Sequence, residues 1–436
     1  MSSLAQRVGE QGEPAPVLPR LLDGAPGAPV SLAAHLERHG PLPEIARDHG
    51  QETLLRELEA SGLTGRGGAG FPAATKLRAV ARGHAPVVVA NGTEGEPASA
   101  KDKTLIACNP HLVVDGAVAA AYAVGSREAI LAVGRADRRS QARLEHALGE
   151  RAHLHEPVEL RVVAAPDRFV SGEESALVHW LNGGPAKPTT RPPRSFERGV
   201  RGRPTLVQNV ETLANIALIA RRGAAWFRTA GTAAEPGTAL VTVRGAVRAP
   251  GVAEVELGPP LRDVLHRFGG LTSLPRALLV GGYFGTWIDA REALELPLTE
   301  AALGAHGAAL GARTIVVLPQ DRCGLVETAR VARYLAAESA GQCGSCLFGL
   351  AAIAAAVQSI ATGAADAPHA HERLHRLAAQ VAGRGACAHP TGATRFVESA
   401  LRVFADEAAR HLRGRCCTES RRPLLPAPTG GPREWR

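Results

Sequence analysis

Aromatic residues are scarce in this chain: nine Phe, four Trp and three Tyr stand among 436 residues. Few rings are therefore available to stack on nucleic-acid bases, and the basic residues behind the formal net charge of +8 are scattered rather than gathered in a stripe. Because nucleic-acid binding leaves a clustered basic footprint, we expect no nucleic-acid partner. The positive charge instead indicates solubility or attraction to an acidic protein.

Long hydrophobic runs are also missing, since no apolar stretch reaches the roughly 18 uncharged residues that a membrane-spanning helix requires. The alanine-rich segments Ala117–Val124 and Leu350–Val357 are shorter and predict helices buried in a core. The N-terminal residues contain no apolar stretch of the kind found in secretion signals. We therefore expect a cytoplasmic protein without a transmembrane segment. Its seven cysteines are then expected to ligate metal, react or lie buried rather than form a disulfide framework.

Strand and helix patterns divide the chain into five parts. Residues 1–50 predict a flexible lead-in, and residues 414–436 a flexible tail. Residues 51–236 alternate apolar strands with helices, which is the pattern of an α/β domain with a largely parallel sheet. Residues 237–322 predict a small β-grasp-like module, and residues 323–413 a helical domain. The expected strands are Val87–Val89, Ala129–Val133, Val158–Ala164, Thr238–Val243, Gly251–Val255, Ala277–Val280 and Thr314–Leu318, and the clearest helices are Leu112–Val124 and Leu261–Phe268.

A glycine-rich segment from Gly62 to Lys76 (GLTGRGGAGFPAATK) is the first candidate ligand loop. Closely spaced glycines let backbone N–H groups approach a phosphate or a flat ring. Arg66 and Lys76 can neutralise phosphate charge, and Phe71 offers a face for stacking. The spacing is not that of the dinucleotide fingerprint G-x-G-x-x-G. Alone, the segment fits a plain tight loop as well as a ligand cradle.

Three further polar segments follow along the chain. Residues 91–97 (NGTEGEP) come directly after a buried strand, at the position where open α/β sheets bind ligands. Residues 169–177 (FVSGEESAL) place paired glutamates at the start of a helix, and residues 202–213 (GRPTLVQNVETL) place amide side chains after a short strand. Each segment suits recognition of a ring or a ribose, and each also fits a solvated loop, a helix start or a turn.

Together and in this order, the four segments resemble the motifs of the NADH-binding flavoprotein subunit (the F or 51-kDa type) of respiratory complex I and of NAD-linked hydrogenases and formate dehydrogenases. The family sequences read G-R-G-G-A-G-F-P-x-x-x-K, N-x-x-E-x-E-P, G-E-E-S/T-A-L and G-R-P-T-x-V-x-N-V-E-T-L. The resemblance extends roughly from Leu54 to His411. It implies an α/β fold: a Rossmann-like FMN and nucleotide domain, then a ubiquitin-like β-grasp (soluble ligand-binding) domain, then a C-terminal helical iron–sulfur domain.

The resemblance also implies which residues contact the cofactors. Phe71 and Glu96 match family positions that touch the dinucleotide, and no side chain is expected to act as an acid or a base. The expected FMN and NADH contacts are Gly65, Arg66, Gly67, Phe71, Lys76, Asn91, Thr93, Glu94, Glu96, Gly172, Glu173, Glu174, Gln208 and Asn209.

The chain departs from the family pattern at several of these positions. Thr93 replaces Asp, Phe169 replaces Tyr and Gln208 replaces Asn. Ala79 and Arg194 stand where relatives offer aromatic faces to the adenine, and each lost ring contact removes about 0.5–1.5 kcal/mol beyond its buried area. NADH is the expected nucleotide, and Arg194 leaves NADPH open as a hypothesis.

Cys343 and Cys346, with Cys387 some forty residues later, form the candidate metal site. The C-x-x-C spacing lets two thiolates reach one metal centre, although zinc and plain core thiols fit the spacing as well. The family carries a further cysteine where this chain has Ala340. The resemblance therefore implies an iron–sulfur cluster held by three cysteines, either [4Fe–4S] or [3Fe–4S], with the vicinal cysteines at 416–417 as the nearest further ligands.

The implied function is that of an NADH dehydrogenase flavoprotein subunit. Nicotinamide gives up two electrons as hydride, iron–sulfur centres accept one at a time, and FMN does both. The expected acceptor is an iron–sulfur protein or a ferredoxin-like subunit, and the chain can lie on the inner face of the cell membrane within a complex. Two alternatives stay open: a cluster-less NAD(P)H diaphorase, and a non-redox binding subunit with a vestigial flavin site.

Overall fold

The computed structural model describes residues 18–22, 29–43, 50–154, 156–415, 417, 423–428 and 434–436. Within these residues the chain forms a parallel sheet flanked by helices, then a mixed sheet, then a helical region, in the order that the sequence predicts. The vicinal cysteine pair is described only at Cys417, because Cys416 lies outside these ranges.

Helices surround the first sheet. The most buried is α5, which is apolar nearly all round and ends at Gly125, whose left-handed φ of 72° closes a helix at low cost. The helices of this region, labelled in chain order, are α1 (Leu32–His39), α2 (Gly50–Ser61), α3 (Ala73–Ala81), α4 (Lys101–Cys108), α5 (Pro110–Val124), α6 (Arg138–Glu150), α7 (Glu174–Leu181) and α8 (Val210–Phe227).

The first sheet is parallel throughout its described strands. They are β1 (Val87–Gly92), β2 (Glu128–Gly134), β3 (Glu159–Ala165) and β4 (Thr205–Asn209), in the spatial order β3-β2-β1-β4. Strand β1 is a continuous apolar run because α5 packs on one face of the sheet and α7 on the other. The chain moves outward from β1 to β3 and returns to the opposite side of β1 for β4. That reversal creates a topological switch point, where such sheets bind ligands beyond the carboxyl ends of the strands.

The second sheet has β-grasp connectivity. Its central strands β5 and β9 run parallel, and the other neighbouring strands are antiparallel, in the order β6-β5-β9-β7-β8. The strands are β5 (Thr238–Gly245), β6 (Gly251–Glu256), β7 (Pro275–Val280), β8 (Thr286–Asp289) and β9 (Thr314–Pro319), with helices α9 (Leu261–His266), α10 (Ala290–Ala293) and α11 (Glu300–Gly304). The β-grasp expectation is confirmed, and β8 is a strand that the sequence analysis missed.

The helical region packs directly on the second sheet. Along β7, Leu278 and Val280 face the core of the β-grasp module, whereas Ala277 and Leu279 face the helices. The helices are α12 (Gly324–Ala337), α13 (Ala351–Thr362), α14 (Ala367–Val381), α15 (His389–Val403) and α16 (Ala405–His411), and a π-helical turn, Ser345–Leu350, leads directly into α13. We keep 51–236, 237–322 and 323–413 as the proposed domain bounds.

One apolar helix is longer than the sequence analysis allows. The helical stretch Ser345–Thr362 has 18 residues and is apolar enough, by length and composition alone, to cross a membrane. Ile353, Val357 and Ile360 are nevertheless buried among the other helices of the region. The stretch is therefore a core helix of the described fold, as its alanine-rich pattern predicts.

Parts of both predicted flexible ends are packed against the body of the protein. The backbone N–H groups of Arg20 and Leu21 each donate to Glu254 Oε2 at 2.7 Å, and Leu21 is fully buried. Near the other end, Leu425 is buried and its N–H donates to Glu327 at 3.0 Å. Single buried carboxylates hold these segments, and composition alone does not reveal such contacts.

Candidate functional site

The carboxyl ends of β1 and β4 lie side by side at the switch point. Asn91 and Asn209 are register partners in the two strands, and Asn209 Nδ2 donates to the Asn91 carbonyl at 3.3 Å. Asn209 also caps α8, since its Oδ1 accepts from the Glu211 N–H at 3.0 Å. The strand end, the amide pair and a helix start therefore meet at one point, which brings the second and fourth polar segments together.

The third polar segment joins this point through Asn91. Asn91 Nδ2 donates to the Gly172 carbonyl at 2.8 Å, and Asn91 Oδ1 accepts from the Thr93 N–H at 3.1 Å. A side chain at position 172 would place its Cβ 2.4 Å from Thr93 Oγ1. Only glycine fits there, so Gly172 keeps the two loops in direct contact.

The glycine-rich loop crosses the same strand ends. Its turn is closed by a hydrogen bond from the Gly65 N–H to the Phe71 carbonyl at 2.8 Å. Gly68 and Gly70 have φ values of 114° and 60°, which L side chains rarely adopt. A Cβ on Gly67 would lie 3.1 Å from Asn209 Cβ, so the loop backbone approaches the strand end closely. Phe71 is 51% exposed beside this loop, and its ring is free to stack on a ligand.

A lysine and a glutamate pair across the segments. Lys76, on α3, donates through Nζ to Glu174 Oε2 at 2.8 Å and to the Val207 carbonyl of β4 at 2.7 Å. Both side chains are partly exposed. The ammonium group is therefore within reach of the loop, where it can turn to an anionic ligand.

The neighbouring glutamate, Glu173, is engaged in a structural contact. Its carboxylate caps α7, accepting from the N–H groups of Ser175 at 2.9 Å and Ala176 at 3.1 Å, and it forms an ion pair with Arg191. The helix-start interpretation that the sequence analysis left open therefore describes Glu173 in this structure. A ligand contact by Glu173 remains a prediction.

Glu94 and Glu96 also accept hydrogen bonds inside the protein. Glu94 accepts from the backbone N–H groups of Asp102 and Lys103, each at 3.3 Å, at the start of α4. Glu96 accepts from the Tyr283 N–H at 2.7 Å, which links the first sheet to the β-grasp module. Burial raises the pKa of Glu96 to about 7. Both carboxyls hold the loop, and their predicted contacts with ribose stay predictions.

Arg66 differs most from its expected role. Its side chain is only 1% exposed and donates to Thr64 Oγ1 at 3.0 Å and to the Pro236 carbonyl at 3.3 Å. Burial and the nearby Arg313 lower the pKa of Arg66 to about 9. The guanidinium group thus supports the junction with the β-grasp module, and Lys76 is the better placed cation of the loop. Gln208 is likewise buried, at the end of β4.

A charged group that the sequence does not predict lies directly behind Asn209. Lys101 Nζ donates to Asp102 Oδ1 at 2.7 Å and to Glu211 Oε2 at 2.9 Å, and Asn209 Nδ2 donates to Asp102 Oδ2 at 2.7 Å. Lys101, Asp102 and Glu211 are all buried. Burial alone would lower the pKa of Lys101, but the two carboxylates outweigh it and raise that pKa. This group fixes the orientation of Asn209.

The three candidate metal ligands line one small cavity in the helical region. Cys343, Cys346 and Cys387 share this cavity with Ala340 and His389. The Ala386 N–H donates to Cys343 Sγ at 3.4 Å, and burial, then the nearby thiols Cys387 and Cys343, raise the pKa of Cys346 to about 12. The segments 340–346 and 387–390 are therefore brought together, as the C-x-x-C spacing and the distant third cysteine predict.

The spacing of these sulfurs argues against a single ion. Ligand atoms around one zinc ion lie roughly 3.5 Å apart. Among the described residues, Cys323, His411 and Cys417 form a group whose ligand atoms all lie within 4.8 Å of one another. The three cavity cysteines do not form such a group. In this structure the three cavity cysteines are therefore not arranged as the ligands of one zinc ion. Cys417, weighed from sequence as a further cluster ligand, instead lies beside Cys323 and His411.

Two family models match the chain over the regions just described. Residues 58–218 match the Nuo51 FMN-binding domain, and residues 327–411 match the NADH-ubiquinone oxidoreductase-F iron-sulfur binding region. The first match includes the four polar segments, and the second includes the three cavity cysteines.

Individual proteins match over most of their length. The chain is 31% identical over 379 residues to the F-type subunit of NADH-quinone oxidoreductase from Streptomyces coelicolor, covering 84% of each chain. It is 30% identical over 380 residues to the mitochondrial NADH dehydrogenase (ubiquinone) flavoprotein 1 of Dictyostelium discoideum, covering 83% of this chain and 79% of that protein. Among solved structures, the NAD+-reducing NiFe-hydrogenase in its H2-reduced state superposes with a TM-score of 0.78 at 30% identity, covering 94% of this chain and 68% of that one.

Proposed function

The chain belongs to the family of NADH-quinone oxidoreductase flavoprotein subunits, and we propose that it oxidises NADH at FMN bound over the switch point and passes electrons singly, through an iron–sulfur cluster, to a partner protein. As a member of this family, the chain is an NADH dehydrogenase flavoprotein subunit with an FMN-binding domain and an iron–sulfur binding region.

The observation that carries the proposal is the meeting of four separate segments at one end of a parallel sheet. Gly67 lies against Asn209, Asn91 bonds Gly172, and Lys76 pairs with Glu174. A tight loop with no ligand does not require distant segments to converge in this way. The convergence supports a shared ligand.

The donor set fits FMN. Backbone of the loop at Gly65–Gly70 can approach a phosphate or ring closely, and the partly exposed Lys76 ammonium supplies a positive charge. The amide groups of Asn91 and Asn209 hold the surrounding loops in place, and their contacts with the ring stay predictions. FMN, when bound, supplies the conversion between hydride and single-electron transfer. The protein's own residues bind and orient FMN and NADH, and no residue is proposed to act as a general acid or base.

NADH is proposed to lie beside Phe71, whose exposed ring offers a stacking face. Arg194 is exposed and Ala79 offers no ring, so the adenine end has fewer aromatic contacts than in relatives. We propose NADH as the substrate. Equal kcat/KM values for NADH and NADPH would overturn this preference.

The cavity of Cys343, Cys346 and Cys387 is proposed to hold the cluster. Its three cysteines come from two separate segments and line one cavity. Cys343→Ala is expected to lower the iron content of the purified protein at least severalfold, and unchanged iron would overturn the assignment.

The electron acceptor is proposed to be an acidic iron–sulfur protein of the ferredoxin class. Leu347 and Phe348, next to Cys346, are 50% and 72% exposed, and Arg384 is exposed beside the same cavity. Exposed apolar side chains with a basic neighbour suit a protein partner. The formal net charge of +8 favours an acidic one.

An anaerobic ultraviolet–visible spectrum before and after addition of NADH tests the proposal. We expect flavin bands that bleach with NADH above a broad iron–sulfur shoulder. Bleaching without the shoulder would replace the proposal with a cluster-less diaphorase. A featureless spectrum that persists after reconstitution with FMN and iron would leave only a non-redox binding subunit.

A further inference from the structure

A cysteine–histidine group lies outside the cavity of the three candidate cluster ligands. Cys323 immediately precedes α12, His411 is the last residue of α16, and Cys417 follows shortly after. Cys323 Sγ, His411 Nε2 and Cys417 Sγ all lie within 4.8 Å of one another, and the first two are 3.6 Å apart. We propose that these three residues bind a divalent metal ion of the zinc type.

The distances suit one tetrahedral ion. Zinc bonds thiolate sulfur at about 2.3 Å and imidazole nitrogen at about 2.0–2.1 Å, so neighbouring ligand atoms lie roughly 3.5 Å apart. The separation of 3.6 Å between Cys323 Sγ and His411 Nε2 is already at that value. Two thiolates and an imidazole are also a donor set that prefers zinc to magnesium or calcium.

The histidine is held in the tautomer that a metal ligand needs. His411 Nδ1 lies 3.2 Å from the Ile360 carbonyl, which can only accept, so Nδ1 carries the proton of that bond. The lone pair is then on Nε2, the atom that faces Cys323 Sγ. A second-sphere carbonyl that fixes the ring in this way is the usual partner of a metal-binding histidine.

Cys323 lies at a helix start, and in this structure its thiol donates to the Glu407 carboxylate. Cys323 Sγ accepts from the Val326 N–H at 3.4 Å as the N-cap of α12, where the helix dipole favours negative charge. Glu407, 3.3 Å from Cys323 Sγ, already accepts from the Gly324 N–H at 2.8 Å and pairs with Arg276. We therefore assign three protein ligands, with water in the fourth position.

Elemental analysis of the full-length protein, purified anaerobically without chelator, tests the site. We expect about one zinc per chain in addition to iron. Cys323→Ser keeps a good N-cap for α12 but removes a thiolate, so zinc should fall at least tenfold while iron is unchanged. His411→Gln should act in the same way. Cys108→Ser is the matched control, because it removes a buried thiol from another part of the chain, and it should retain zinc.

Cobalt provides a second readout that does not depend on how the variants fold. Co²⁺ added to wild-type protein after chelator treatment should give the visible and thiolate charge-transfer bands of a tetrahedral cysteine site. Zinc retained in both variants, absent cobalt bands, or a Cys323–Cys417 disulfide found by mass spectrometry in the anaerobic protein would overturn the proposal.

A different observation concerns the cluster cavity and rests on the function proposed above. His389 lines this cavity together with Ala340 and is 2% exposed. Its Nε2 donates to the Leu335 carbonyl at 2.8 Å, which leaves the lone pair on Nδ1. Nδ1 of His389 is buried and has no hydrogen-bond partner among the described residues. We infer that His389 Nδ1 is the fourth ligand of the cluster, in place of the cysteine that Ala340 replaces.

Iron stoichiometry and Mössbauer or EPR spectra separate three-iron from four-iron clusters and test this ligand. We expect a four-iron cluster in the wild type and a three-iron cluster in His389→Ala. Adding Ala340→Cys to His389→Ala should restore the fourth iron, because position 340 lines the same cavity. A three-iron cluster in the wild type, or a four-iron cluster in His389→Ala, would overturn the inference. Absence of iron from every variant would instead overturn the proposed function.

Discussion

At the scale of single residues, Glu96 is a carboxyl group placed between two domains. It accepts from the Ala98 N–H at 3.1 Å and from the Tyr283 N–H at 2.7 Å, so it joins the loop after β1 to the β-grasp module. Burial nevertheless raises its pKa to about 7, because two N–H donors do not offset the loss of water around a carboxylate. The ionised form therefore costs the folded protein stability.

This shift predicts how stability depends on pH. The folded-state pKa of Glu96 lies above its unfolded value of 4.5. Protonated Glu96 therefore contributes its full share to the free energy of unfolding below pH 4.5, and this contribution is lost as pH rises through about 7. Glu96→Gln keeps an acceptor oxygen and does not titrate. Between pH 5 and 8, the wild type should lose on the order of 1–3 kcal/mol relative to this variant, measured as thermal midpoints. Glu256→Gln, at an exposed position of the same module, is the control. Parallel curves for wild type and Glu96→Gln would contradict the expectation.

Lys101 and Glu211 form a buried ion pair whose loss should be costly. Glu211 is fully buried, and its other oxygen accepts from the Leu240 N–H of β5 at 2.9 Å. Glu211→Ala removes one of the two carboxylates that pair with the buried Lys101 ammonium, so we expect a loss of about 3–5 kcal/mol in unfolding free energy. Glu59→Ala breaks an exposed pair with Arg78 and should cost less than about 1 kcal/mol. Urea unfolding of the two variants measures the difference, and similar midpoints would refute a buried role.

The ion pair of Lys101 also shows which single-residue contacts cannot be predicted from the sequence alone. Its partner Glu211 is 110 positions away, and no spacing rule connects them. Arg66 is the converse case. The glycine-rich motif predicts a phosphate-facing guanidinium, but Thr64 and the Pro236 carbonyl satisfy the side chain in the interior. The two terminal nitrogens of Arg66 are bonded there, whereas its buried Nε has no hydrogen-bond partner among the described residues. Whether a cation faces a ligand or the core depends on tertiary packing.

At the scale of elements, the crossing of α5 and α8 depends on one glycine. Gly116 lies within α5, and a Cβ there would lie 2.1 Å from the Leu213 carbonyl oxygen of α8. Gly116→Ala should improve intrinsic helix propensity. The added methyl group would, however, clash with the backbone of α8, which cannot move aside as a flexible side chain would. We expect a net loss of about 1–3 kcal/mol from overpacking. The control is Gly149→Ala in α6, where nothing lies within 4 Å and stability should rise by about 0.5–1 kcal/mol. Thermal midpoints that shift in the same direction would contradict this account.

The elements that sequence predicts well are those with strong periodicity. Strand β1 is recognisable because it is covered on both faces and reads as an unbroken apolar run. Strand β8 escapes because its four residues, Thr286–Asp289, are too short to show alternation. The four polar segments were predicted as ligand loops, but their mutual contacts follow from strand order, which local patterns do not specify.

At the scale of the whole molecule, the β-grasp module joins the two candidate redox regions. One face of β7 packs on its own module and the other on the helical region, while Glu96 and Glu211 tie the first sheet to the module. The flavin-binding and cluster-binding regions are thus fixed to one scaffold. Such fixed separation suits electron transfer, which needs cofactors held at constant distance rather than brought together by motion.

The exposed side chain of Phe348 allows a test of where the electron acceptor docks on the molecule. Phe348 is 72% exposed and lies two residues after Cys346, on a chain of net charge +8. Phe348→Ser should lower the rate of reduction of an acidic ferredoxin roughly tenfold, equivalent to about 1.4 kcal/mol, because an aromatic anchor is lost from the docking surface. Reduction of a small neutral quinone should not change.

Leu274→Ser is the matched control for that substitution, since it removes an exposed apolar side chain, 71% accessible, from the β-grasp module. For the wild type, the rate of ferredoxin reduction should also fall as salt is raised from about 0.05 to about 0.5 M. Over this range the Debye length shortens from roughly 14 to 4 Å, which weakens the attraction between opposite charges. Equal loss in both variants, or a ferredoxin rate indifferent to salt, would mean that the acceptor docks elsewhere on the molecule.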